Sequence, residues 1–194
     1  LYSYNLAADG KVDLDNLIEP LYYGGASTCT PAIYNNRLYI GISGGSGFGE
    51  DGASILVADI NPETGAMSKA YLVPTKSDFA YCQTSGLIIN GYEEETGYVY
   101  VYFLVNSAKG SLYMVKDKPG MTEADPESGL LYTPSHEQYC IASAVADSDG
   151  TIYLKNDSAW QFALKRAESY LTDVEVTGGN AVIDGGNDFA GSVA

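Results

Sequence analysis

The stretch STCTPAIYNNRLYIG, residues 27–41, decides the fold, because the chain repeats it twice. It recurs in degraded form as AYCQTSGLIING from Ala80 and as QYCIASAVADSDGTIYL from Gln138. Each version carries a cysteine (Cys29, Cys82, Cys140), at spacings of 53 and 58 residues. A small pair follows each cysteine (Pro31-Ala32, Ser85-Gly86, Ser143-Ala144), and then an aliphatic residue (Ile33, Leu87, Val145). Turn-forming residues come next: Asn35-Asn36, Glu93 to Gly97, and Asp147 to Gly150. Such residues enter tight or left-handed backbone conformations at low cost. Self-similarity at this period identifies a repeat architecture.

Working outward, each phrase is followed by an aromatic-aliphatic strand: Arg37 to Ile42, Tyr98 to Val105, and Thr151 to Lys155. Third strands follow as SILVADI from Ser54, SLYMVKD from Ser111 and AWQFALK from Ala159. Outer strands close the units as AYLVP from Ala70 and LLYTP from Leu130, with YLTDVEV from Tyr170 in the same place in the third unit. Four short strands in roughly 55 residues are the dimensions of a propeller blade. The expected fold is all-β, with four-stranded antiparallel blades. A blade cannot bury both faces alone, and small residues are needed where inner strands converge.

LYSYNL from Leu1, the turn Ala8 to Lys11, and EPLYY from Glu19 read as the third and fourth strands of a preceding blade. The expected organisation is a repeat segment over 1–166, with units near 1–26, 27–79, 80–137 and 138–176. Residues 167–194 supply a last outer strand and a linker or the start of another module. About three and a half blades leave open edges, because closed propellers have at least about four. A longer propeller, association with another chain, or a blade shared between the two ends would each resolve this. The one helical turn expected is at Glu123 to Gly129.

The unit from residue 27 to 74 resembles the repeat of pyrroloquinoline-quinone-type propellers. Thr30-Pro31-Ala32, Leu38-Tyr39-Ile40-Gly41, Ala58-Asp59 and Thr64-Gly65 carry the resemblance. It weakens over 80–133 and again over 138–166. Ala66 and Met67 stand where the family has a docking tryptophan. The vicinal cysteine pair of the family's enzymes has no counterpart. The resemblance therefore implies the fold and leaves the activity open. The tail from Tyr170 resembles the beginning of the immunoglobulin- or cadherin-like modules that follow propellers in surface proteins.

Composition narrows the function. A net charge of −15 repels phosphate backbones, and no basic cluster exceeds Lys165-Arg166, so nucleic acid is not an expected partner. No apolar run reaches the length of a membrane span. The chain begins in mid-strand at Leu1, which reads as a piece whose targeting signals lie elsewhere. Low Lys/Arg content and abundant Tyr, Thr, Ser, Asn and Gly suit an extracellular or cell-surface bacterial protein.

Candidate chemistry is sparse, and no catalytic, cofactor or metal residue is assigned. The cysteines are expected to be small buried residues; a disulfide or a soft-metal site are the alternatives. His136 is expected to be a solvated loop residue. Asp147 to Gly150 is expected to be a hairpin turn rather than half a calcium loop, and Asp184 to Asp188 has the same status. Glu93 to Glu95 is expected to be a solvated hairpin tip. The glycine-rich loop Gly41 to Gly52 lacks the lysine of a phosphate loop and reads as a long connection with Phe48 at its tip. Tyrosines near strand ends, with flat apolar bodies and polar tips, suit sugars and peptides. The candidate ligand contacts are Tyr81, Tyr139, Tyr34 and Phe48. The expected function is a non-enzymatic interaction or scaffold module whose partner is a glycan, a peptide or a neighbouring domain, with self-association through open edges. A fragment of a quinone-dependent or carbohydrate-active propeller enzyme is the alternative, and a pure spacer is a third reading.

Overall fold

A computed structural model describes residues 1–43, 54–75, 82–105 and 109–165. The described chain is all-β but for one helical turn. The first sheet comprises β1 (Ala32–Tyr34), β2 (Arg37–Ile42), β3 (Ser54–Ile60) and β4 (Met67–Pro74). The second comprises β5 (Leu87–Ile89), β6 (Val99–Val105), β7 (Ser111–Asp117) and β8 (Gly129–Tyr132), with α1 (Glu93–Thr96) between β5 and β6. The third comprises β9 (Val145–Ala146), β10 (Ile152–Lys155) and β11 (Gln161–Leu164). In each sheet, strands consecutive in sequence are hydrogen-bonded neighbours, and all pairs are antiparallel.

Local chemistry explains the tight turns. Tyr34 pairs with Arg37 across Asn35 and Asn36, whose φ angles are +48° and +58°. Two successive left-handed residues make a turn whose twist matches the strands it joins, and asparagine tolerates that region better than most residues. In the third sheet, Asp147 Oδ1 accepts from the amides of Asp149 and Thr151, both at 2.9 Å. That carboxylate nucleates the turn between β9 and β10.

The sheets bury one another. On β2 and β3, Leu38, Ile40, Leu56 and Ala58 point to one face, with Cys29. Tyr39, Ile55 and Val57 point to the other, where they join Tyr71 and Val73 of β4. That second face packs against Val99, Val101, Phe103 and Val105 of β6 and Tyr113 and Val115 of β7. The opposite face of the second sheet offers Leu104 and Leu112 to Ile152, Leu154 and Leu164 of the third. Alternation along the central strands of the first two sheets thus supplies two apolar faces, as a sheet sandwiched between neighbours requires.

Two expectations differ from the structure. Residues 1–26 form no strand; they hold isolated bridges, Leu6 to Val12 and Ala26 to Ser43, and a reciprocal backbone pair between Leu1 and Leu21. Among the described residues no inner strand pairs with LYSYNL, and a two-stranded ribbon alone is marginal. The helical turn is at Glu93–Thr96, closed by Gly97 at φ +75°. The 125–128 segment makes one turn instead, with Ser128 N–H donating to the Asp125 carbonyl. The expected strand YLTDVEV lies outside the described residues.

Candidate functional site

The most concentrated polar cluster is buried between the first two sheets. Arg37 opens β2 and is 1% exposed. Its Nε and Nη2 donate to the two carboxylate oxygens of Asp117, at 2.9 and 2.8 Å. Nη2 also donates to the Met121 carbonyl at 3.0 Å, and Nη1 to Asp59. Asp117, fully buried at the end of β7, accepts two further bonds, from Tyr39 Oη at 2.8 Å and Tyr71 Oη at 2.6 Å. Burial alone would lower the Arg37 pKa; the bonds and charges of Asp117 and Asp59 outweigh it and raise it. Burial, followed by the Asp117 carboxylate, pushes the Tyr39 and Tyr71 phenols far above their usual range. With both Asp117 oxygens and all three guanidinium nitrogens engaged, the cluster is a lock between sheets.

The cysteines are also structural. All three are buried and free, and each lies in a different core layer. Burial raises the Cys82 thiol well above its ordinary range and pushes Cys140 up to about 12, with Asp157 adding to the latter. Their hydrogen bonds revise the repeat alignment. Cys29 Sγ accepts from Gly41 N–H at 3.2 Å and donates to its carbonyl at 3.6 Å. In the second sheet the same two bonds, to Leu104, are made by Thr84 Oγ1 at 3.0 and 2.8 Å. Cys29 is therefore matched by Thr84, and Cys82 falls two residues earlier. Cys82 Sγ donates a longer bond to the same Leu104 carbonyl, at 3.9 Å, and fills the space above Gly41, where an added Cβ would lie 2.3 Å from its sulfur.

Of the four candidate contact residues, Tyr81 and Phe48 lie outside the described residues, as does most of the glycine-rich loop. Tyr34 is half-buried and engaged: its Oη donates to Glu93 Oε2 at 2.6 Å and accepts from Asn90 Nδ2 at 2.9 Å. Asn35 Nδ2 donates to Glu93 Oε1 at 2.6 Å. Glu93, expected at a solvated hairpin tip, is thus the anchor of α1 against the β1–β2 turn. Tyr139 is exposed and donates to Gln83 across the joint between the second and third units. The structure therefore places Tyr34 and Tyr139 at different joints. Asp147 serves its turn and accepts from Tyr153 Oη at 2.9 Å, as a hairpin role requires.

One exposed constellation went unrecognised in the sequence. His136 and Trp160 stack with centroids 4.3 Å apart and planes 4° from parallel. Trp160 is 55% exposed. Two loops carry this pair, and buried Asn156 ties them together. Its Nδ2 donates to the His136 carbonyl at 2.7 Å, and its Oδ1 accepts from the Ser158 amide at 3.0 Å and from the Ser158 hydroxyl. The Asp157 amide donates to the Tyr139 carbonyl at 2.7 Å, and the Trp160 amide to Ser158 Oγ at 3.2 Å. His136, Tyr139 and Trp160 thus stand on one braced loop pair. The sequence places Trp160 inside the strand expected from Ala159, whereas β11 begins at Gln161, and His136 is 24 residues away in sequence.

No family model matches the chain. It is similar to component CfbD of the Ni-sirohydrochlorin a,c-diamide reductive cyclase complex of Methanosarcina acetivorans, at 28% identity over 105 residues. That alignment takes in 47% of the chain, which spans 28% of the relative's length. Among the described residues, no helix is long and apolar enough to cross a membrane.

Proposed function

We propose that the three sheets are consecutive blades of a β-propeller and that the chain is a non-enzymatic interaction module of an extracellular or cell-surface protein. The single observation that carries the blade reading is where the sheets approach each other. The Ser85 amide, just before β5, donates to Ser143 Oγ, just before β9, at 2.8 Å. Small residues before the first strands of successive units thus touch directly. Residues of first strands β1 and β5 also come within 8 Å of one another at their Cα atoms. Convergence at first strands is the geometry of blades around an axis.

The binding reading rests on the braced loop pair bearing His136, Tyr139 and Trp160. The charged groups described between the sheets are committed to holding them together, whereas this aromatic group faces outward. The test is a thermal-shift screen against neutral oligosaccharides, short peptides, calcium and the quinone. A ligand that binds only the folded state raises the melting temperature. A shift with a sugar or peptide supports the module. A shift with quinone plus calcium overturns it in favour of a propeller-enzyme fragment. The likeness to a component of an enzyme complex, over a short stretch, is support for an enzymatic role in general and not for a quinone or a propeller.

A further inference from the structure

We infer that the outer face of Trp160 is a carbohydrate subsite for a neutral, all-equatorial hexopyranose unit, with His136 as its backing. This rests on the interaction-module reading and narrows it to one ligand class and one residue.

The geometry supplies what such a sugar needs. An all-equatorial pyranose presents axial C–H bonds on each face and hydroxyls around its rim. It is held by a flat aromatic ring under one face and polar groups at the edge. His136 covers one indole face in a near-parallel stack at 4.3 Å, yet Trp160 remains 55% exposed, so the other face is turned to solvent. Tyr2 and Tyr4 lack this support, since they stack at 6.3 Å on a segment without strands. Trp160 by contrast stands immediately before β11, on a loop fixed by the Asn156 and Ser158 bonds. A preformed platform loses little conformational freedom on binding.

The same two loops carry exposed polar residues. Asp157 and Gln138 are solvent-facing, and Glu137 is held by Lys109 at 3.2 Å. Carboxylate and amide oxygens accept from sugar hydroxyls. The net charge of −15 disfavours acidic glycans. Gly110 permits the arrangement: at φ +62°, an added Cβ would lie 2.6 Å from the Gln138 carbonyl oxygen. The Gln138 backbone therefore rests directly on Gly110.

The chain has one tryptophan, so its fluorescence reports on this subsite alone. The experiment is a fluorescence and calorimetric titration of the whole chain with cellohexaose and N-acetylchitohexaose. The expected result is a saturable shift in Trp160 emission with matching heat. Trp160→Ala should weaken binding at least about tenfold with an unchanged far-UV spectrum and melting temperature. His136→Ala should weaken it to a smaller extent. Trp160→Tyr, which keeps a flat ring, should retain part of the affinity and covers the case in which the alanine variant misfolds. Heat of sugar binding without an emission change, and with Trp160→Ala unaffected, overturns the subsite while leaving the module reading in place. Peptide binding without sugar binding does the same. No binding by sugars or peptides overturns both.

Discussion

Arg37 and Asp117, 80 residues apart in sequence, meet in a two-armed ion pair that joins the start of β2 to the end of β7. Asp59 occupies the corresponding end of β3 and holds the third arm of the same guanidinium. The carboxylates differ in environment: the Asp117 side chain is fully buried and that of Asp59 is 47% exposed. Asp117→Ala leaves a buried guanidinium and two phenols short of a partner and should cost about 3–5 kcal/mol. Asp59→Ala should cost under about 1 kcal/mol, because water replaces the lost acceptor. Urea denaturation of both variants checks this; equal losses would contradict the account.

Gly41 is required by its neighbour in the next unit. Its missing Cβ leaves the room that Cys82 occupies, with Cys82 Sγ and Cβ 2.3 and 2.4 Å from where a Cβ would stand. Gly41→Ala should destabilise by about 1–3 kcal/mol through overpacking. Adding Cys82→Gly should recover part of that loss, since the Cys82 carbonyl oxygen, 2.9 Å away, stays in place. A strictly additive double variant would show that the two positions are not in contact.

Much of the fold was legible because its determinants are local. The turn asparagines, the alternation of β2 and β3, and the small pairs before the first strands all lie within a few residues of what they shape. The unit limits at 27–79 and 80–137 each enclose one four-stranded sheet. What failed depended on partners distant in sequence. LYSYNL has strand-like composition, but composition does not provide a neighbouring strand. The cysteines align by type, yet hydrogen bonding to the second strand is set by distance from the first. Cys29 and Thr84 each stand three residues before it, at Ala32 and Leu87. Arg37 could have been flagged, since an arginine inside an apolar strand needs a partner. SILVADI and SLYMVKD both end in or beside an aspartate that could provide one. The pairing of Trp160 with His136 had no comparable signal.

Stability should fall on the alkaline side. The thiols of Cys82 and Cys140 and the phenols of Tyr39, Tyr71 and Tyr113 have raised pKa values, chiefly from burial. Unfolded, they titrate near 9.0 and 10.0. Above pH 9 the native chain binds more protons than the unfolded one, so stability declines as pH rises. It should be unaffected by these groups at lower pH. Urea midpoints measured from pH 8 to 11 should drop, steeply beyond 10; a flat profile would contradict the burial of these groups.

The same burial should silence the thiols. A disulfide reagent such as Ellman's should modify Cys29, Cys82 and Cys140 at once in denaturant. In the native protein it should act only through opening of the sheets. Rapid native labelling of Cys82 would mean that the layer between the first and second sheets is open.

The central claim is that these sheets are blades around a common axis, and a crystal structure of the chain tests it most directly. The account predicts that one rotation relates the first sheet to the second and the second to the third, with β1, β5 and β9 nearest the axis. Sheets stacked without a shared axis, or with first strands outermost, would contradict it.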